Sequence, residues 1–151
     1  MGLPKLAHGT KLKMGDGASS EAFATVANTL SIGLPGQTRA AVDVSDNDTE
    51  DYMAFLASAL ADGGTVAVEG HLVLSEATQG VSSGSGFVAA MKSGAMKNWQ
   101  IEGADGTWRV AFAAFATAFG GTAPSESGAG KVTFSGELKV NGEPVFSLIG
   151  A

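Results

Sequence analysis

Between residues 131 and 140 the chain alternates apolar and polar side chains without a break. Val132, Phe134, Gly136, Leu138 and Val140 interleave with Lys131, Thr133, Ser135, Glu137 and Lys139. A two-residue period gives a strand one apolar and one polar face, and no helix can satisfy it. Asn141-Gly142 follows at once, and this pair tolerates the positive φ angles of a type I′ hairpin turn. A second hairpin precedes it: Trp99 and Ile101 alternate with Gln100 and Glu102, Asp105-Gly106 turns the chain, and Trp108, Val110 and Phe112 return. Residues 98–148 therefore read as antiparallel sheet, and no catalytic constellation interrupts it.

The rest of the chain extends this pattern. Strands are expected at 10–14, at 23–34 through Val26, Leu30 and Ile32, at 39–44 through Ala40, Val42 and Val44, and at 65–74 through Val66, Val68, Leu72 and Leu74. Between them Tyr52, Phe55, Leu56 and Leu60 fall at i, i+3, i+4 and i+8, which predicts a short helix face. A second helix is expected over 86–96, with Ser85 as its cap and Phe87, Ala90, Met91 and Ala95 on its inner side. In the strand from Trp108 the apolar phase is expected to change near Ala113-Ala114, the signature of a β-bulge. The sum is a mainly β, α+β chain.

With 151 residues and 44% hydrophobic content the chain can bury one core, and a single domain over 1–151 is expected. Within it, 1–20 reads as an N-terminal arm, 35–64 as a long loop and 120–130 as a Gly/Ser/Ala linker. No apolar run reaches the roughly 18 residues of a membrane span. The start lacks the apolar stretch of a secretory signal, and Leu6 breaks the myristoylation pattern that Met1-Gly2 would open. Without cysteine, thiolate metal sites and cysteine nucleophiles are excluded. A net charge of −6 with nine scattered basic residues argues against gripping nucleic acid through its phosphates, although an acidic surface suits DNA that must slide past.

Other chemistry fares poorly. His8 and His71 are the only histidines, and His71 falls on the polar phase of its strand, where a solvated role is expected. The acidic run Asp43, Asp46, Asp48, Glu50 and Asp51 fails as an EF-hand. Counted from Asp43, the sixth and twelfth positions are Asp48 and Ala54; counted from Asp46, they are Asp51 and Ala57. It reads instead as a solvated or interface-facing loop. Gly84-Ser85-Gly86 before a helix hints at anion binding but lacks the third glycine of a dinucleotide fingerprint and the Lys of a P-loop. No cofactor, metal or catalytic residue is expected.

The order of the elements carries a resemblance. Gly9-Thr-Lys-Leu12, Asp16-Gly17, Phe23-x-x-Val26, Leu30-Ser-Ile32 and Pro35-Gly36 open the chain in that order. Val42-Asp-Val-Ser45 leads into the polar run to Asp51, with Ser45 where Thr is more usual. Ala59-Leu-Ala-Asp-Gly-Gly64, Trp99-Gln-Ile101 with Asp105-Gly106, and Lys131-Val-Thr-Phe-Ser-Gly136-Glu-Leu complete the series. Taken together, these motifs resemble siphophage-type major tail tube proteins across most of the chain.

The resemblance implies an antiparallel β-sandwich flanked by one helix. It also implies a virion protein, assembled in the host cytoplasm, that stacks as homohexameric rings into a tube passed by the DNA genome. Partners would be further copies of the chain, the tail terminator, and tail-tip and tape-measure proteins, with no membrane. The long loop, with Asp46, Asp48, Glu50, Asp51, Tyr52, Phe55, Leu56 and Leu60, would contact an adjacent subunit or ring. Asp43, Glu69, Glu102 and Glu137 would be candidates to face the lumen. Two alternatives stay open: a related ring protein (tail terminator, contractile-tail or secretion-system inner tube), and a monomeric carbohydrate-binding module stacking sugars on Trp99, Trp108 and Tyr52.

Overall fold

The computed structural model describes residues 3–4, 8–80, 86–123 and 130–149. The proposed Ser85 cap, the Gly84-Ser85 step and most of the 120–130 linker lie outside them. Seven strands form one antiparallel sheet in the order β2 (Phe23–Thr25), β1 (Lys11–Gly15), β7 (Lys97–Glu102), β8 (Trp108–Thr122), β9 (Thr133–Leu148), β6 (Thr65–His71), β3 (Thr29–Ile32). Two more, β4 (Thr38–Asp43) and β5 (Phe55–Asp62), pair only with each other. The sheet curls until β1 and β3 approach one another, which makes its apolar face an interior.

That interior is filled as the two-residue period demands. Val66 and Val68 on β6, Trp99 and Ile101 on β7, Val110, Phe112, Ala114 and Ala116 on β8, and Phe134, Leu138 and Val140 on β9 are all buried. The single helix among the described residues, α1 (Phe87–Ser93), closes the open side and ends at Gly94 in the left-handed region. Phe87 points down into the sheet, its ring 5.6 Å from that of Trp99 and 5.3 Å from that of Phe119. Gly136 makes room for it: a Cβ there would lie 2.7 Å from the Phe87 ring. The Trp99 indole N–H is spent on the Ala114 carbonyl at 3.3 Å.

Several sequence expectations need correction. The expected helix over Tyr52–Leu60 is strand β5, every residue of which is exposed except the half-buried Ser58. Helical spacing of apolar residues has meaning only when a core selects one face, and here none does. Asn141-Gly142 is no hairpin turn, because β9 runs through it to Leu148. β9 pairs with β8 at Ala113↔Asn141 and again at Ala111↔Val145, so Gly142, Glu143 and Pro144 stand opposite Phe112 alone. Gly142, at φ +89°, absorbs the extra length as a bulge.

The phase of β8 does not change at Ala113-Ala114, since Ala114 and Ala116 stay buried. It changes at Thr117, the unpaired residue between Ala116↔Leu138 and Ala118↔Glu137, and this brings Phe119 back to the core. The expected strand over 23–34 is two strands, broken at Asn28 with φ +60°. The Trp99–Trp108 hairpin forms as read, turning through Gly106 at φ +70°.

β3 and β6 are the near end of a longer ribbon. They pair from Thr29↔Gly70 to Ile32↔Val68, the Gly33 N–H reaches the Ala67 carbonyl at 2.7 Å, and the same two chain segments pair again as Thr38↔Asp62 through Asp43↔Phe55. The ribbon bends where it leaves the sheet. Gly64, at φ +85°, supplies a conformation that L side chains rarely adopt, and a Cβ there would strike Gly36. Beyond the bend, β4 and β5 form an arm.

Candidate assembly surfaces

Among the described residues, three surfaces of the fold stand out. The first is the arm. Val42, Phe55, Leu56 and Leu60 are exposed along it, and Tyr52 near its tip is 88% exposed. Monomeric proteins rarely present such a run of large apolar side chains without a partner.

The tip itself is ordered by local bonds. The Asp46 carboxylate accepts from the Asp48 N–H at 2.9 Å, the Thr49 N–H reaches the Asp46 carbonyl, and the Asp43 carboxylate accepts from the Ser45 N–H at 2.8 Å. That last bond, with the Ser45 hydroxyl, holds the Asp43 carboxyl below its ordinary range. Asp48, Glu50 and Asp51 stand exposed around the tip. At the root, the Lys139 ammonium donates to the Asp62 carboxylate at 2.7 Å. This bond, followed by the Gly64 N–H, depresses the Asp62 pKa. It ties the arm's base to β9.

The second surface is the face of the large sheet turned away from the core. Register decides what it displays. Ala67↔Glu137 and Glu69↔Ser135 alternate with core pairs such as Val68↔Gly136, and Glu102↔Arg109 alternates with Ile101↔Val110. Glu69, Glu102 and Glu137 therefore share one face, whereas Asp43 stands apart from them on the arm. The face is not uniformly acidic. Glu102 is held by Lys13 at 3.0 Å and Arg109 at 3.4 Å. The Lys13 hydrogen bond lowers its pKa first, partial burial opposes this, and Arg109 adds to the lowering. Among the described residues, neither Glu69 nor Glu137 makes an ion pair.

The third is a groove of about 730 Å³ between β1 and the β2–β3 turn, lined by Val26, Leu30, Ile32, Leu34 and Trp108 among others. It opens where the curled sheet fails to close. Trp99 takes no part in any of these surfaces. Sealed in the core with its N–H satisfied, it offers no ring face to a sugar.

Sequence reasoning missed two residues beside the groove. Gln79, between the strand expected over 65–74 and the helix expected over 86–96, is fully buried. Its side chain accepts from the Val73 N–H at 2.8 Å and donates to the Ala27 and His71 carbonyls at 2.6 and 3.1 Å, pinning three segments together. His71, expected to be solvated, is half-buried, and its Nδ1 is buried without a partner among the described residues. No local pattern signals either, because both depend on loops that meet only in the fold.

No family model matches the sequence, and no curated protein matches it. The fold, in contrast, has well-matched counterparts among solved structures. A chain from the tail of an empty gene transfer agent particle, refined helically with C6 symmetry, superposes with a TM-score of 0.69 at 15% identity, over 95% of this chain and 99% of that one. A chain of the SPP1 tail tube gives 0.69 at 14% identity, over 96% and 80%. A chain of the sheath–tube complex of the PVC extracellular contractile injection system gives 0.72 at 8% identity, over 97% and 93%. The chain has the tail-tube fold: mainly antiparallel β with one short helix.

Proposed function

We propose that this protein is the structural subunit of a phage tail tube, polymerising as stacked hexameric rings through which a DNA genome passes. The observation that carries the reading is the arm: a two-stranded projection with exposed apolar side chains, on a fold shared with the SPP1 tail tube and a C6-symmetric gene transfer agent tail. Its role is mechanical, and it works without a catalytic residue or cofactor. The arm residues Asp46, Asp48, Glu50, Asp51, Tyr52, Phe55, Leu56 and Leu60 form the inter-subunit contact. The face carrying Glu69, Glu102 and Glu137 lines the lumen. There Glu69 and Glu137 supply uncompensated negative charge, which keeps DNA from sticking.

We read the tail as non-contractile on the order of the sequence motifs. An inner tube of a contractile system is the second reading, favoured by the equally good overlap with the contractile injection chain. A sheath protein encoded alongside would decide for it.

The arm provides the test. It pairs with no strand of the large sheet, so deleting residues 46–60 removes nothing that the core packs against. The deletion variant is expected to keep a cooperative thermal transition and to stay monomeric in sedimentation at concentrations where the full chain assembles. Normal tubes from the variant would remove the arm from the assembly contact.

A further inference from the structure

The Asn141-Gly142 pair, which serves no hairpin, has a chemistry of its own. A side-chain carbonyl carbon followed by glycine is open to attack by the chain itself, because glycine has no Cβ to shield its backbone nitrogen. The sequence holds four such steps: Asp16-Gly17, Asp62-Gly63, Asp105-Gly106 and Asn141-Gly142. The fold treats them differently.

At three of them a carboxylate oxygen is held in place. Asp16 Oδ1 accepts from the Ala18 and Ala22 N–H groups at 2.9 and 3.3 Å. Asp62 Oδ1 accepts from the Gly64 N–H at 2.8 Å and from the Lys139 ammonium at 2.7 Å. Asp105 Oδ1 accepts from the Thr107 N–H at 3.1 Å and from the Thr107 hydroxyl at 2.8 Å. Asn141 differs. It is exposed, and among the described residues its side-chain amide makes no hydrogen bond. Gly142 stands outside the ladder, since pairing passes from Ala113↔Asn141 to Ala111↔Val145. A regular strand would clamp the backbone on both sides of the step, and the bulge leaves it loose. Beyond its own chain neighbours, nothing lies within 4 Å of the place a Cβ on Gly142 would take.

We propose that Asn141 is a site of spontaneous deamidation in the folded chain. The Gly142 backbone nitrogen attacks Asn141 Cγ, the new N–Cγ bond closes a succinimide ring, and the Cγ–Nδ2 bond breaks. Nδ2 leaves as ammonia with the proton that the Gly142 nitrogen gives up. Water then opens the ring at either carbonyl. Opening at Cγ restores the ordinary backbone and yields aspartate. Opening at the main-chain carbonyl yields isoaspartate, whose backbone runs through Cγ. The balance is one water taken up and one ammonia released.

The position gives the change a consequence. Asn141 follows Glu137 and Lys139 on the outward phase of β9, opposite Ala113. Either product therefore adds a carboxylate to the face that carries Glu69, Glu102 and Glu137. Isoaspartate also lengthens the backbone by a methylene. Gly142, Glu143 and Pro144 already stand opposite Phe112 alone, and this slack takes up the increment before it reaches the buried Val140. The inference concerns the single subunit and does not depend on the tube reading.

The test holds the dilute folded chain in mildly alkaline buffer, with the chain unfolded in guanidinium chloride as reference. Trypsin cuts after Lys139, so residues 140–151 carry Asn141 on a peptide of its own. Mass spectrometry reads the amide-to-acid gain on that peptide, and isoaspartyl methyltransferase labelling reads isoaspartate at all four steps, each against a zero-time digest. The folded rate at each step is divided by its unfolded rate. Asn141 is expected to convert in the folded chain. The ratios at Asp16, Asp62 and Asp105 are expected to lie about tenfold below that of Asn141, because their hydrogen bonds must break first. Asn141→Gln, whose longer side chain does not close the succinimide, should lose the signal on 140–151 and keep the wild-type circular dichroism. An intact amide at Asn141 in the folded chain while the unfolded reference converts would overturn the proposal. Equal ratios at the four steps, or a signal that persists in the glutamine variant, would overturn it as well.

Discussion

Gln79 shows how much one side chain can organise. It sits where the sequence offers only small and polar residues, yet it bonds the backbone of Val73, Ala27 and His71 from a fully buried position. Truncating it would leave one N–H and two carbonyls without partners in a dry environment. Buried unsatisfied groups cost about 1–3 kcal/mol. Gln79→Ala is therefore expected to lower unfolding free energy by about that amount in urea titration, with an unchanged m-value; loss of less than about 0.5 kcal/mol would mean that water takes its place. Nothing in the sequence announces this residue. A glutamine in a loop looks solvated until two distant turns close over it.

At the scale of elements, legibility followed burial. The Trp99–Trp108 hairpin and the strand from Thr133 to Val140 were readable because a core selects one face of each, so the period survives in the sequence. β5 was misread as a helix because it is exposed along its length, so no core selects one face and the spacing of Phe55, Leu56 and Leu60 carries no period to read. Asn141-Gly142 was misread as a turn for a related reason. A positive φ serves a bulge as well as a hairpin, and only the register of β8 tells them apart.

The helix makes a complementary point. At seven residues α1 is too short to hold itself, and Phe87 over Gly136 fixes it to the sheet. Phe87→Ala is expected to cost about 3–5 kcal/mol and to release α1. Chemical denaturation with exchange at 88–93 checks both, and a stable variant with α1 still protected would show that the ring is not the anchor.

For the whole molecule, the curled sheet, the helix and the Gln79 network account for a stable body, while the arm and the charged face stand outside its core. Their residues are those that sequence reasoning could name but could not place. Asp46, Asp48, Glu50, Asp51 and Tyr52 gather at the arm tip; Glu69, Glu102 and Glu137 share the outer face; Asp43 sits with the arm. So many large apolar residues stand exposed outside the core that they call for cover, and in the proposed tube further copies of the chain would supply it.

The direct measurement is negative-stain electron microscopy of the purified protein across a concentration series. Rings, and then hollow tubes of uniform width with six-fold end views, are expected as concentration rises. Monodisperse single subunits at every concentration, including in the presence of preformed tube seeds, would contradict the tube reading.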